Sequence, residues 1–390
     1  MVARTPSLTG WTTDRKTYLD NLKVVLIATI IAIHGVLGYV GSDQYWTYAD
    51  VQETALQPVT ELVLAVLVVP FGLFMIALLF LVAGLLTPPS FRRKGARRFV
   101  GDRLLRLGVP FAVVTFVLWP MLTYALYHPL GAAPGSFWEE YLSDEGNIDT
   151  SILWFVGVLL IFSIGYAGGV LILGRFGPRH PSPRRVDAIR LRHLALLAAA
   201  TAAATFLVRL AFPYGSESAT DLNLWEWPGC LALFGLGIVA CDRGWAAEAP
   251  PRLVRAAGVI TAIAGVAAAG FLLVMLRADL TDAMWGGWSW PALVFVLIES
   301  PLMVFGSVWL LGVAQRRLAR PVRGGDALAR SAYAAFLVQG FVLIGLALLL
   351  RPVPLPAELK ALLVSAGGVV GSFGIAWLLV SRVRWLARVL

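Results

Sequence analysis

Ten stretches of about 20 mainly apolar residues, set apart by short polar segments, limit what this chain can fold into. They cover 22–41, 60–87, 108–127, 151–174, 194–212, 224–241, 254–276, 288–313, 331–350 and 359–380. A helix of roughly 20 residues crosses the hydrocarbon core of a bilayer, which is about 30 Å thick. These runs are too continuous for the alternating pattern of a membrane β-strand, and inside lipid a backbone must satisfy its hydrogen bonds within helices or closed barrels. The expected fold is therefore all-α: a polytopic integral membrane protein of about ten transmembrane helices. No segment between the runs is long enough for a separate soluble domain, and no internal repeat stands out, so a single membrane domain is expected to fill 1–390. Only 14% of the residues are charged and 58% are hydrophobic, a balance that does not suit folding in water.

The charges give the runs a direction. With the N-terminus placed in the cytoplasm, all but four of the 32 Lys and Arg residues fall on the cytoplasmic side. The four exceptions are Arg209, Arg277, Arg351 and Lys360. The second loop alone carries Arg92, Arg93, Lys94, Arg97, Arg98, Arg103 and Arg106, whereas the third has Glu139, Glu140, Asp144, Glu145 and Asp149 and no basic residue. This is a positive-inside pattern. It predicts cytoplasmic termini (1–21 and 381–390), a basic amphipathic segment at 91–107 on the inner surface, and a multi-pass protein of the cell membrane. The formal charge of +9 is then a property of membrane sidedness, not a nucleic-acid footprint. Arg15, Lys16 and Lys23 precede a first run long enough to span, so no cleavable leader is expected. Trp46, Trp119, Trp138, Trp225, Trp227, Trp285, Trp288 and Trp290 fall near outer or interfacial positions, where indoles anchor helices. Cys230 and Cys241 share the sixth run and are expected to be free thiols.

Ionisable residues inside apolar runs are the candidates for chemistry. His34 lies two-thirds along the first run; its residue type alone fits either a structural hydrogen bond or a proton-transfer role. Lys23, eleven residues earlier, returns to within ~20° of the same helix face. Arg103 and Arg106 share a helix side at the entry to the third run, spaced to hold a phosphate or to attract anionic lipid. Glu299 interrupts the eighth run just before Pro301, as a partner for a histidine or as a buried structural carboxyl. Glu61, Glu226 and His128 mark outer ends, while His180 and His193 lack the spacing of a metal site, and no metal is expected. The sequence has no phosphate-binding Gly-Lys-Ser/Thr loop, zinc-protease His pair or Gly-x-Ser-x-Gly turn.

Taken together, these residues resemble the membrane-bound acyltransferase family 3, which includes O-acetyltransferases of bacterial polysaccharides and the glucan biosynthesis protein C group. The likeness rests on Arg15-Lys-Thr-Tyr-Leu-Asp-Asn-Leu-Lys23 followed by His34, on Leu79-Phe-Leu-Val-Ala-Gly-Leu-Leu, and on Arg103-Leu-Leu-Arg106. It continues in Leu153-Trp154-Phe-Val-Gly-Val-Leu-Leu and in Ser331-Ala-Tyr333-Ala-Ala-Phe-Leu-Val-Gln339-Gly. In the last motif Phe336 and Gln339 stand where the family often has tyrosine and histidine. The resemblance implies transfer of an acyl group, most simply acetyl, from cytosolic acyl-CoA to a hydroxyl on a carbohydrate or other envelope or lipid-linked acceptor. His34 would be the general base. Lys23, Arg103 and Arg106 would bind the CoA, and Glu299, Glu61, Trp154, Tyr333 and Gln339 would support the site or face the acceptor. Acyl-CoA would be a co-substrate, with no bound cofactor, and an acyl-histidine route stays open beside direct transfer. The alternative is an exporter of acylated or lipid-linked glycans in which His34 and Glu299 relay protons.

Overall fold

The computed structural model describes residues 14–41, 47–131, 135–143, 149–176, 189–216, 221–245 and 247–383. Trp46, Asp144, Glu145, His180, the N-terminal residues 1–13 and the tail 384–390 lie outside the described residues. All regular elements among the described residues are helical: α1 Asp14–Leu37, α2 Pro58–Arg103, α3 Val109–Val113, α4 Trp119–Tyr127, α5 Phe137–Ser143, α6 Trp154–Phe176, α7 Leu191–Ala211, α8 Trp227–Asp242, α9 Pro251–Ala278, α10 Trp290–Pro301, α11 Ser307–Arg317, α12 Gly325–Leu350 and α13 Ala357–Arg382. Nine helical runs among the described residues are long and apolar enough to cross a membrane, and one of them, Pro58–Leu130, holds both the second and the third expected spans.

That long run is divided at Gly95, whose φ of 71° and ψ of 165° interrupt the helix inside the basic segment. Glycine adopts such a backbone without a Cβ penalty. The segment 91–107 is accordingly not one uninterrupted amphipathic helix: Arg92, Arg93 and Lys94 close one part and Arg97, Arg98, Arg103 and Arg106 belong to the next. Three π-helical turns lie beside prolines. Leu104–Gly108 precedes Pro110, Val114–Leu118 precedes Pro120, and Leu302–Gly306 follows Pro301. A proline leaves the carbonyl four residues earlier without its usual donor, and a wider turn accommodates the defect. At Pro120 that carbonyl is the one of Phe116, and it accepts from the Tyr141 hydroxyl at 3.3 Å.

The helices run past the expected bounds at several ends. For example, α12 begins at Gly325, not 331, because polar residues at a helix mouth still close backbone hydrogen bonds after hydropathy has fallen. Small residues set the closest crossings. A Cβ placed on Gly84 would lie 2.2 Å from the Phe234 carbonyl, and one on Gly237 2.3 Å from that of Leu81, so α2 and α8 touch backbone to backbone. The bundle has two distinct ends. One joins Asn21 to the Leu318 and Arg320 carbonyls, Gln315 to Tyr18 and Trp245, and Arg92 to Asp242, and it carries the basic segment. The other joins Lys360 to Glu53, Tyr127 to Asp50 and Trp119 to Asp149. Between these ends, apolar residues such as Val266, Leu349 and Val370 are about three-quarters exposed, as a lipid-facing surface requires.

Candidate functional site

The first helix positions His34 by the same apolar logic that makes it span: Leu26, Ile27, Ile30 and Ile31 are buried, fixing how α1 is rotated. His34 itself is partly buried, with Nδ1 3.0 Å from Oε1 of Gln339 on α12. Gln339 is fully buried, and its amide nitrogen donates to the Phe336 carbonyl at 3.1 Å. That bond orients the amide so that its oxygen faces the ring. An amide oxygen only accepts, so Nδ1 bears a proton; in the neutral imidazole the lone pair is then on Nε2. Behind His34, Ser365 of α13 donates to the Ala32 carbonyl at 2.8 Å, and a Cβ on Gly35 would meet Ser365 Oγ at 2.7 Å. The histidine turn is clamped between α12 and α13.

A wall beside Gln339 comes from α4. Trp119 lies against Gly340, where an added Cβ would be 2.6 Å from the indole, and packs edge-on against Phe341. The indole Nε1 donates to Asp149 at 2.6 Å. Phe336 meets Phe155 edge to face, next to Trp154, which is buried in the core. Beyond His34, residues 47–57 between α1 and α2 contribute to a polar cap. Glu53 accepts from Lys360 at 2.6 Å and from the Tyr48 hydroxyl at 2.7 Å. Burial raises the Glu53 carboxyl, but the bonds from Lys360 and Tyr48 outweigh it and hold the group below its ordinary value. Burial and the Glu53 carboxylate push the Tyr48 phenol upward. Glu61 accepts from the Gly41 amide at 3.4 Å and so braces the turn that follows His34.

The expected site residues do not all meet. His34 and Gln339 are in contact, whereas Lys23 is half-exposed and pairs with Asp20 at 3.2 Å, eleven residues and roughly 16 Å along α1 from the histidine. Arg103 lies over the Phe99 ring at 5.1 Å, and its Nε is buried without a hydrogen-bond partner among the described residues. Arg106 is half-exposed and reaches Asp102 at 3.2 Å, the same carboxylate that takes Lys94 at 2.7 Å. The helix carrying Arg106 continues to Trp119, thirteen residues or roughly 20 Å farther on, so one rod joins the basic end to the wall of the histidine site. The Tyr333 hydroxyl is buried with no hydrogen-bond partner among the described residues.

Glu299 is not a partner of His34. Its two oxygens take both terminal nitrogens of Arg209 on α7, at 2.7 and 3.0 Å, and both side chains are shut from solvent. Glu226 stands 3.8 Å from the same guanidinium, which also lies 5.2 Å from the Tyr214 ring and 5.5 Å from that of Phe295. Sequence reading assigned Arg209 only to the outer end of a span, because nothing local ties it to a residue ninety positions away. The same is true of Asp102 and Asp149, whose roles as counter-ion and indole acceptor depend on packing. Cys230 and Cys241 are free thiols.

A family model described as an acyltransferase domain matches residues 16–381. No curated protein and no solved structure matches the chain.

Proposed function

The chain belongs to the acyltransferase 3 family of membrane proteins, and from that membership we propose that it carries an acyl group, most simply acetyl, from cytosolic acyl-CoA to a hydroxyl of a carbohydrate or lipid-linked acceptor. The observation that carries the assignment of the base is the His34–Gln339 bond. It holds the imidazole in the tautomer whose Nε2 accepts a proton. As the acceptor oxygen attacks the thioester carbonyl, its proton passes to Nε2. Collapse of the tetrahedral intermediate breaks the carbon–sulfur bond, and the imidazolium returns the proton to the leaving thiolate, giving the ester and free CoA. A group acting in this way contributes ~10²–10⁴-fold. Gln339, in place of the family's histidine, has no exchangeable charge, so it orients His34 and takes no proton from it.

The positive-inside pattern assigns the basic end to the cytosol, where CoA is found. There Arg106 and Arg103 offer guanidiniums to its phosphates, and Lys23 sits at the same end of α1. Arg106, itself half-exposed, exchanges its partner Asp102 for the ligand. The rod of roughly 20 Å from Arg106 to Trp119 sets the distance that the pantetheine arm covers to bring its thioester to His34. The exporter reading loses its second relay group, since both oxygens of Glu299 are committed to Arg209.

Purified protein incubated with acetyl-CoA and an envelope glycan fraction should release free thiol and esterify the glycan. His34→Ala should abolish both, and Arg106→Ala should chiefly raise the KM for acetyl-CoA, by about tenfold if one charge-assisted hydrogen bond is lost. Wild-type turnover by His34→Ala would sink the assignment.

A further inference from the structure

A groove of about 480 Å³ lies between α7 and α8, away from His34. Leu194, Leu197, Leu231, Gly235 and Val239 line its length, and Arg243 with His193 closes it at the basic end of the bundle. From Leu231 to Arg243 the groove follows α8 for twelve residues, roughly 18 Å. One leaflet's hydrocarbon is about 15 Å deep. The apolar part is therefore as long as an acyl chain lying in one leaflet, and the cationic part falls where that leaflet's headgroups begin.

Two observations identify the charge of the occupant. The Arg243 Nη1 is buried and has no hydrogen-bond partner among the described residues. The adjacent carboxylate, Asp242, is held by Arg92 at 2.6 Å. Arg190 and Arg192 flank His193: the Arg190 amide donates to Nδ1 at 3.1 Å and the Arg192 Nε lies 3.4 Å from Nε2, so further positive charge surrounds the same mouth. Gly235 keeps the floor open, because a Cβ there meets nothing within 4 Å.

We propose that this groove is a binding site for a single membrane phospholipid with an anionic headgroup, one chain along Leu231–Val239 and the phosphate on Arg243. Basic pockets between membrane helices take such headgroups by charge, at about 1 kcal/mol per basic residue, which is about fivefold in occupancy.

The test is native mass spectrometry of the full chain, purified in detergent and titrated with phosphatidylglycerol or phosphatidylcholine of identical chains, each with and without inorganic phosphate. The wild-type protein should retain one phosphatidylglycerol in preference to phosphatidylcholine. Arg243→Gln should lower that retention about fivefold and remove the headgroup preference. Gly235→Leu, whose Cβ meets nothing within 4 Å, should reduce retention of both lipids while leaving the melting temperature in place. Equal retention of the two lipids, displacement of lipid by inorganic phosphate, or unchanged retention by Arg243→Gln would each overturn the proposal. So would a dimer that buries the groove against a second copy. Should Gly235→Leu fail to fold, Arg243→Gln at the partly buried mouth still decides the matter.

Discussion

His34–Gln339 and Arg209–Glu299 are both polar contacts made between membrane helices, and they are built on opposite principles. The arginine and glutamate are at most 1% exposed, share two hydrogen bonds, have a second carboxylate beside them and lie near two aromatic rings. The histidine is only partly buried and holds Gln339 by one bond of 3.0 Å to one ring nitrogen. Removing an ion from water costs several kcal/mol, so a buried charge persists only where partners surround it. Arg209 and Glu299 are surrounded in this way and are committed to each other. A neutral imidazole needs less compensation than a buried ion. On the proposed function, ionisable groups inside the bilayer divide here into a fastening and a reagent, although their positions in apolar runs look alike.

Glu299→Ala should have the largest effect. It leaves Arg209 buried with only the more distant Glu226, at a cost of about 3–5 kcal/mol. Thermal melting in detergent should fall sharply, and a variant that melts like the wild type would break the contrast between the two pairs. His34→Ala should do the reverse, keeping the melting transition while the chemical step slows ~10²–10⁴-fold. Gln339→Leu sharpens the distinction further. Losing one hydrogen bond to the ring, worth roughly 1 kcal/mol, should slow turnover by about fivefold to tenfold with little change in acetyl-CoA affinity. Gln339→Glu, whose carboxylate still accepts from Nδ1, should recover part of the rate; if Leu and Glu behave alike, Gln339 does not set the tautomer.

A test away from both pairs concerns Asp221, in the loop before α8. Burial raises its carboxyl to about 6 against the bonds from Thr150, and neighbouring Asp149 adds to the rise. The folded chain then keeps a proton that the unfolded chain releases near 3.8. Stability from this group is full below about pH 4, declines as pH rises to about 6, and is level above that. Asp221→Asn should flatten that slope in melts taken from pH 4 to 7; an unaltered slope would assign it to other groups.

Much of the architecture was legible because the signals are local. Each apolar run predicted a helix, and the loop charges separate the basic end with Arg92 and Arg106 from the end with Asp50, Asp149 and Glu53. His34 stood out because an imidazole is rare in such a run, and Gln339 because it replaces a familiar histidine. What could not be read was their contact, since that depends on the depth and rotation of two helices separated by 305 positions. The counter-ion of Glu299 was hidden for the same reason: it is on another helix, 90 residues away. The break at Gly95 was hidden because its neighbours continue the basic pattern on either side.

The sequence by itself determined that this chain spans a membrane as a helical bundle, because hydropathy and length are sums over neighbouring residues and the bilayer reads those sums. Only the tertiary structure decided which polar groups are locked together and which nitrogen of His34 faces Gln339. Those outcomes depend on close crossings such as Gly84 on Gly237 and Gly35 on Ser365, where small residues let two backbones approach and fix the rotation of every side chain the helices carry.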